Sequence, residues 1–293
     1  EKYTVGWVCA LPLELHAAQA MLDERHQDPP HQPHETNVYC LGRIGEHNVV
    51  VVSLPAGRYG TNSAAACVAQ MMEKFRSIKY GLLVGIAGGV PSYDADVRLG
   101  DVVISQPRGQ YGGVVQYDLG KIEAGGRNHR TGYLAPPPTI LLNALAKFQA
   151  LGMDQSSQVL ADFPMAGGIR KPNSDTLYES PYDHVGGATC RDCDSSKVKL
   201  RRDRAEEICI HYGVVASGNQ VVKDGGTRDK LSRELGGVLC FEMEAAGVVN
   251  TLPCLVIRGI CDYCDSHKNK QWQDYAAIVA ALCAKTLFNV LPP

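Results

Sequence analysis

Several features that mark common protein classes are missing from this chain of 293 residues. It has no continuous apolar run of about 18 residues, which argues against a transmembrane helix and a membrane partner. Acidic and basic residues are well mixed and the net charge is −2, so the basic face of a dedicated nucleic-acid binder is absent. The chain also lacks the glycine spacing of a dinucleotide fingerprint and the Lys-Ser/Thr pair of a P-loop, which disfavours nucleotide-cofactor and NTPase functions.

An export signal is missing as well. The opening segment EKYTVGWVCALPLEL has a short apolar stretch, but no cationic region precedes it and no small-residue cleavage site follows. We therefore expect a first strand there. Most of the eleven cysteines lie in apolar surroundings, where a free thiol behaves as a small hydrophobe. Together these observations predict reduced thiols and a cytoplasmic location.

What is present indicates one sizeable α/β unit. An apolar fraction of 45% supports a large core, and segments with strand and helix patterns alternate along the chain. That alternation predicts an α/β fold with a mixed or parallel central sheet. We find no domain linker and no internal repeat, so we expect a single domain over 1–293. Residues 120–205 are polar and rich in Gly, Pro and charge, and we expect part of them to be an insertion.

The strongest chemical signal lies in FEMEAAGVVNTLPCLVIRGICDYCDS, residues 241–266. Glu242 and Glu244 precede a strand-like apolar run, and Asp262 and Asp265 follow it. A buried strand that ends in carboxylates is how an α/β enzyme presents acid groups at the mouth of its sheet. A glutamate pair can bind a polyol such as ribose, and an aspartate at a strand end can hold or deliver a proton. This segment indicates chemistry on a sugar joined to a base.

Three further segments have a composition that suits a site. GIAGG at 85–89 is predicted to be a turn after the strand Tyr80–Ile86, with amides that could approach an anion or a sugar hydroxyl, although a tight turn packed under a helix explains it equally well. Glu14 follows the first strand at a helix start, where it could orient water or complement the helix dipole. SGNQVV at 217–222 is a polar bend that could line a base pocket or form a plain loop.

A resemblance to the nucleoside phosphorylase superfamily rests on six segments in the family's order: VGWVCALPLEL, LLVGIAGGV, RLGDVVIS, VVASGNQVV, FEMEAAG and VIRGICDYCDS. This superfamily includes purine nucleoside phosphorylases, uridine phosphorylases and methylthioadenosine/S-adenosylhomocysteine nucleosidases. The similarity covers most of the chain outside roughly 120–205, and it looks closest to the phosphorylase-like domain of large fungal multidomain proteins. It implies a three-layer α/β/α fold around a mixed, barrel-like sheet, assembled as a homo-oligomer.

The resemblance also implies cleavage of an N-glycosidic bond, with roles for particular residues. Asp262 falls on the acid that assists departure of a purine at N7, which favours a purine nucleoside as substrate. Glu244 falls on the residue that binds the ribose hydroxyls, with Met243 beneath the sugar. The backbone amides of Gly88 and Gly89 would place water or a sugar hydroxyl.

The base is expected to lie against the polar bend. Val221 and Val222 fall where the family flanks the base, and valine stands there in place of the usual aromatic residue. Asn219 replaces a common aspartate, and Gln220 lies beside it. The resemblance therefore implies that stacking on the base is weaker here or comes from elsewhere.

Three functions remain open, and the first two differ in the group that attacks the sugar. Glu14 matches the glutamate with which nucleosidases act on water, and no arginine stands near 45–47, where the phosphorylases place a phosphate ligand. Arg58 could still supply one cation. Because carboxylates would repel a phosphate dianion, hydrolysis with water as co-substrate is favoured over phosphorolysis. The third alternative is a nucleoside-sensing module of a larger signalling protein.

CRDC at 190–193 is half of a metal signature. Cys190 and Cys193 have metal-ligand spacing, with His184 and His211 as further candidates, but a zinc site normally needs four ligands. A redox or disulfide pair and plain reduced loop cysteines are the alternatives. We expect no cofactor and no resident metal, and these two cysteines remain weak candidates.

Overall fold

The computed structural model describes residues 2–125, 127–152, 159 and 169–293. Its centre is a mixed sheet, and a separate two-stranded hairpin lies outside it. The strands in chain order are β1 (Val5–Cys9), β2 (Glu24–Arg25), β3 (Tyr39–Ile44), β4 (His47–Ser53), β5 (Tyr80–Gly89), β6 (Val102–Ser105), β7 (Val114–Gln116), β8 (Gly120–Glu123), β9 (Arg127–Arg130), β10 (Ile210–Gly213), β11 (Val215–Ser217), β12 (Cys240–Glu242) and β13 (Cys254–Asp262).

The helices of the described ranges connect these strands. They are α1 (Pro12–Ala20), α2 (Thr61–Lys74), α3 (Thr139–Gln149), α4 (Gly225–Glu234), α5 (Ala245–Val248) and α6 (Gln273–Phe288). Two short 3₁₀ turns, Cys190–Asp192 and Ser195–Lys197, lie in the polar region before β10. None of the helices among the described residues is both long and apolar enough to cross a membrane.

The main path of the sheet runs β10-β6-β13-β5-β1-β4-β3-β2. Strand β5 is parallel to β1 and to β13, whereas β6 is antiparallel to β13 and β3 is antiparallel to β4. Strand β12 pairs antiparallel with the end of β5, and β11 and β7 continue from it. Within the described strands β10 and β2 do not pair with each other, so the sheet is mixed, as expected, but open rather than closed.

Helices cover both faces of this sheet. Successive residues of a strand point to opposite faces. In β1, Gly6 lies against Met71 of α2, whereas Trp7 stacks on Phe288 of α6. Helix α6 is buried along almost its whole length and packs on β13, β5 and α1. The expected three-layer α/β/α architecture is therefore confirmed.

Parallel pairing brings the chemical residues to one edge of the sheet. Strands β1, β5 and β13 run in the same direction, so their carboxyl ends meet at one edge, where open α/β sheets bind ligands. Helix α1 begins just after β1 and carries Glu14, and β13 ends at Asp262. Strand β12 ends at Glu242, with Phe241 opposite Gly88 of β5.

One local prediction needs correction. The segment 85–89 is not a turn, because β5 continues to Gly89 and pairs with β13 up to Gly88. The glycines are explained by the neighbouring side chains, which occupy the space that a Cβ atom at these positions would fill.

The region 120–205 combines different kinds of structure. Helix α3 buries Leu141 and Phe148 in the main core, whereas strand β8 is exposed along its whole length. From residue 169 onward, the region consists of polar loops with short 3₁₀ turns. The single domain over 1–293 and the insertion within 120–205 stay predictions.

Candidate active site

A pocket of about 370 Å³ opens at the carboxyl edge of the sheet. It is lined by residues from α1, β5, β12, β13 and the segments that follow the strands. Its charged and aromatic lining includes Glu14, Phe241, Glu242, Glu244, Asp262 and Lys268. The three carboxylates singled out from the sequence, on residues 14, 244 and 262, thus lie in one cavity beside Gly88.

Glu14 is held rigidly at the floor of the pocket. Its Oε2 accepts hydrogen bonds from the backbone N–H groups of Ala10 (2.7 Å) and Leu11 (3.0 Å), and its Oε1 accepts one from Ile86 (2.8 Å). A Cβ on Gly85 would collide with Oε1, so glycine is needed at this point of β5. Burial raises the pKa of Glu14, although Arg258 and the three amides oppose this effect.

Arg258, which sequence reasoning missed, organises the carboxylates of the sugar end. It lies in the middle of β13 with 1% of its side chain exposed and pairs closely with Glu242. Its Nη2 also lies 3.5 Å from Oε2 of Glu244. The available signal was a single charge inside the otherwise apolar run CLVIRGIC, because a buried charge needs a partner.

Glu244 is the carboxylate with the most altered acidity. Burial raises its pKa to about 7, and the nearby charges of Glu242 and Glu14 act in the same direction, against Arg258. Its Oε1 accepts a hydrogen bond from the backbone N–H of Gly60 at 3.2 Å. Near neutral pH this group therefore exists in both protonation states.

Glu242 has a structural position at the start of α5. Its carboxylate accepts hydrogen bonds from the backbone N–H groups of Glu244 (3.1 Å) and Ala245 (3.0 Å). Because it also pairs with Arg258, it links β12, α5 and β13. This arrangement fixes the backbone that carries Glu244 into the pocket.

Asp262 is paired with a lysine that sequence reasoning also missed. Its Oδ2 lies 2.8 Å from Nζ of Lys268, and its Oδ1 accepts a hydrogen bond from the backbone N–H of Cys264 at 2.9 Å. A Cβ on Gly88 would lie 2.6 Å from Oδ1, which explains that glycine. Burial alone would lower the pKa of Lys268, but the charge of Asp262 raises it, so the ammonium is retained.

Aromatic and amide groups line the other wall. The pocket is lined here by Met243, Gln220, Val221 and Val222, whose roles toward a sugar and a base stay predictions. Phe241 and Tyr59 line it as well, so aromatic surface is present although valine occupies the expected aromatic position. Phe241 is buried in a second small core, whereas 58% of Tyr59 is exposed.

Three residues expected in the site are not among those lining this pocket: Gly89, Asn219 and Arg58. Gly89 is part of β5, and a Cβ there would meet Ile260. Asn219 instead accepts hydrogen bonds from the backbone N–H and hydroxyl of Thr61, both at 3.0 Å. Arg58 borders a different cavity, next to Tyr59.

The sequence model described as phosphorylase superfamily matches residues 4–291. The chain belongs to this superfamily. The resemblance inferred from the six segments is therefore confirmed, and it extends through the region 120–205 as well.

The chain covers different shares of the relatives that it matches. A nucleotide-binding leucine-rich repeat (NLR)-like protein of Hyaloscypha variabilis is 45% identical over 100% of this chain and 30% of its own length. The 5'-methylthioadenosine/S-adenosylhomocysteine nucleosidase of Mycobacterium tuberculosis is 25% identical over 99% of this chain and 97% of its own. The ATP nucleosidase Cap17 of Escherichia coli is 25% identical over 93% and 48%. The chain thus spans less than half of the first and third of these relatives.

Solved structures share the superfamily fold. A methylthioadenosine/S-adenosylhomocysteine nucleosidase from Colwellia psychrerythraea, in complex with adenine, has a TM-score of 0.67 at 18% identity, covering 99% of this chain and 96% of that one. Futalosine hydrolase of Helicobacter pylori has a TM-score of 0.63 at 16% identity, covering 98% of each chain. These similarities establish the fold of this superfamily member.

Proposed function

We propose that this superfamily member hydrolyses the N-glycosidic bond of a purine nucleoside and releases the free base and ribose. The observation that carries the proposal is the convergence of Glu14, Glu244 and Asp262 on one pocket with an apolar and aromatic wall. Such a pocket offers a base for water, a ligand for sugar hydroxyls and an acid for the leaving group. The named relatives that are nucleosidases support the same reaction type.

Glu14 is assigned to the attacking water. Its carboxylate is fixed by three backbone amides, and burial raises its pKa, which makes it a better base than an exposed glutamate. Glu244 is assigned to the ribose hydroxyls, with Met243 as the apolar surface beneath the sugar. The negative charge of the Glu14, Glu242 and Glu244 group also favours a ribosyl centre that gains positive charge in the transition state.

The Asp262–Lys268 pair is assigned to the leaving group. A proton passes from the lysine ammonium through the Asp262 carboxylate to N7 as the C1′–N bond breaks, so the purine departs as a neutral base. Water gives its hydroxyl to C1′ and its proton to Glu14. Proton exchange with solvent then restores both groups, and the net reaction consumes one water.

Charge favours water over phosphate as the nucleophile. A phosphate dianion at the sugar end would face Glu14, Glu242 and Glu244, while the buried guanidinium of Arg258 is already engaged by these carboxylates. Like charges a few ångströms apart repel strongly in a partly dry site. Phosphorolysis therefore stays the second alternative.

Product analysis tests the proposal. Protein incubated with adenosine, inosine, guanosine and methylthioadenosine, with and without phosphate, is expected to release free ribose or its 5′-thio derivative in both conditions. Glu14→Gln, which preserves size and keeps one oxygen as an acceptor for the backbone amides, should abolish release, and circular dichroism should show that the protein stays folded. Formation of ribose-1-phosphate that requires added phosphate would establish phosphorolysis instead.

A nucleotide is the second candidate substrate. Lys223, Lys268 and Lys270 all line the pocket, and three cations at one pocket suit a phosphorylated substrate better than a neutral nucleoside. Relatives described as ATP nucleosidases favour the same extension. In the Lys223→Gln/Lys270→Gln variant, kcat/KM for ATP should fall at least tenfold more than kcat/KM for adenosine. An equal loss for both would exclude a phosphate-binding role.

Three further expectations accompany the proposal. A homo-oligomer, a cytoplasmic location and a nucleoside-sensing role within a longer chain stay predictions. Light scattering coupled to size-exclusion chromatography tests the first of them, and a single mass equal to one chain would contradict it.

A further inference from the structure

A cluster of metal-binding side chains lies outside the pocket, in the polar region before β10. The ligand atoms of His184, Cys190 and Cys193 all lie within 4.8 Å of one another. Two sulfurs bound to the same zinc ion are about 3.8 Å apart, so a small movement would complete this geometry. The backbone N–H of Cys193 donates to the carbonyl of Cys190 at 3.2 Å, in a 3₁₀ turn that keeps both thiols on one side.

A second observation points to a ligand at the same place. The side chain of His267 is only 6% exposed, yet neither ring nitrogen has a hydrogen-bond partner among the described residues. Its ring lies 4.0 Å from that of Tyr178 and 5.5 Å from that of His184, centroid to centroid. His267 and Cys190 also border one common cavity of about 260 Å³. A buried imidazole without partners is costly unless something binds it.

We propose that a zinc ion binds here, held by Cys190, Cys193 and His184 with His267 as the fourth ligand. Two thiolates and two imidazoles form a common donor set of closed, tetrahedral zinc sites, and sulfur ligands exclude magnesium and calcium. His267 lies beyond the 4.8 Å spacing of the other three and moves toward them when the ion binds.

The neighbours of both histidines fit this assignment. Nε2 of His184 lies 3.1 Å from the carbonyl of Thr189, an acceptor that would hold the ring proton and leave Nδ1 for the metal. The contact of Nδ1 with the backbone N–H of Gly186, at 3.0 Å, is then given up. Nδ1 of His267 lies 3.8 Å from Oδ1 of Asp265, so a small movement of the ring would let Nδ1–H donate to this carboxylate and leave Nε2 free to bind the metal.

The ion would connect the 184–193 loop to the segment that contains His267 and the pocket residue Lys268. His267 immediately precedes Lys268, whose ammonium pairs with Asp262. The backbone N–H of His184 already donates to the hydroxyl of Ser266 at 2.9 Å. A metal bridging the 184–193 loop and His267 therefore fixes the backbone that positions Lys268, which makes the site a structural clamp next to the acid pair.

Metal analysis of untagged protein tests the site. After exposure to Zn²⁺ and desalting, we expect about one zinc ion per chain in the wild type. Cys190→Ser/Cys193→Ser should lose it, whereas Cys209→Ser, a half-buried cysteine outside the cluster, should retain it. His267→Asn should weaken binding at least tenfold, as measured by competition with a chelator. Co²⁺ in place of zinc should give thiolate charge-transfer absorption that is absent in the double variant.

A stability measurement separates a bound ion from incidental thiol binding. Chelation should lower the melting temperature of the wild type and of Cys209→Ser, and leave the Cys190→Ser/Cys193→Ser variant unchanged. Wild-type protein that keeps less than about a tenth of an ion per chain would overturn the proposal. So would equal zinc content in the double variant, or an intact mass lower by two hydrogens that shows a disulfide between Cys190 and Cys193.

Discussion

The carboxylates of the pocket differ in how many of them share one cation. Arg258 serves Glu242, Glu244 and Glu14 together, and burial raises the pKa values of Glu244 and Glu14 because this shared cation opposes it only in part. Lys268, in contrast, pairs with one carboxylate, that of Asp262. In the proposed reaction, the base and the sugar ligand thus lie at one end of the pocket and the proton-donating pair at the other.

Asp262→Asn should separate catalysis from folding. General acid catalysis typically contributes about 10² to 10⁴ in rate, so turnover should fall by that range because asparagine cannot pass a proton to N7. Circular dichroism and the melting temperature should stay close to the wild type. Asp96→Asn, a change at a surface ion pair, serves as the control and should leave turnover unchanged. Normal turnover in the Asp262 variant would remove the acid from the mechanism.

Lys268 should act through the same proton as Asp262. We expect Lys268→Gln to lower kcat about tenfold or more with a smaller effect on KM, while Lys230→Gln, a change at an exposed lysine of α4 outside the pocket, leaves kcat unchanged. The double variant Asp262→Asn/Lys268→Gln should be no slower than Asp262→Asn by more than about threefold, because both changes break one unit. Fully multiplicative losses in this double-mutant cycle would argue for two independent roles.

Glycines in two strands decide how the elements fit together. In β5, Gly85 and Gly88 leave space for Glu14 and Asp262. In β13, Gly259 lies so close to the backbone carbonyl of Ala276 in α6 that no side chain fits. The glycines of the active-site edge thus allow close packing, and their role is not to form turns.

Sequence patterns predicted the elements well and their contacts less well. The apolar runs predicted β1 and β13, and the order of motifs gave the superfamily. The turn predicted over 85–89 was wrong because glycines after an apolar run are typical of a turn. Only the side chains that pack against these glycines show why the segment continues a strand. Lys268 was missed for a related reason: Asp262 was identified from the sequence, but only the path of the chain after β13 shows that the ammonium of Lys268 returns to it.

Gly259→Ala should destabilise the whole fold through the β13–α6 contact. The new methyl group would overlap a backbone oxygen, which cannot rotate away, so we expect the free energy of unfolding to fall by about 3 kcal/mol or more. Gly226→Ala, in helix α4, should instead be neutral or stabilising by up to about 1 kcal/mol, because its Cβ would make only an ordinary contact of 3.6 Å with Oδ1 of Asp224. Urea denaturation measures both, and similar effects of the two changes would show that α6 can shift.

The molecule as a whole concentrates its buried charge at one edge of an apolar body. The sheet and α6 are almost entirely buried and apolar, whereas Glu14, Glu242, Glu244, Arg258 and Asp262 are buried around one pocket. Burial of charge lowers stability unless partners compensate, and here more carboxylates than cations are buried. Stability is therefore reduced at the site that is proposed to do the chemistry.

The pH dependence of stability should show this cost. Burial raises the pKa of Glu244 from 4.5 to about 7, so the folded state holds this proton more tightly than the unfolded state. The corresponding stability is present below pH 4.5 and is lost as the pH rises to about 7, an effect of about 3 kcal/mol. Glu244→Gln removes this dependence, so at pH 8 the variant should be the more stable protein although it no longer binds ribose well.

Chemical denaturation of wild type and variant between pH 4 and pH 8 measures the difference directly. The two curves should converge at low pH and separate in favour of Glu244→Gln as the pH passes from about 4.5 to 7, because only the wild type then carries the uncompensated charge. Glu73→Gln, an exposed change on α2, should follow the wild type at every pH. A variant that is less stable than the wild type at pH 8 would mean that Arg258 compensates the charge of Glu244 fully, and that the pocket carries no such strain.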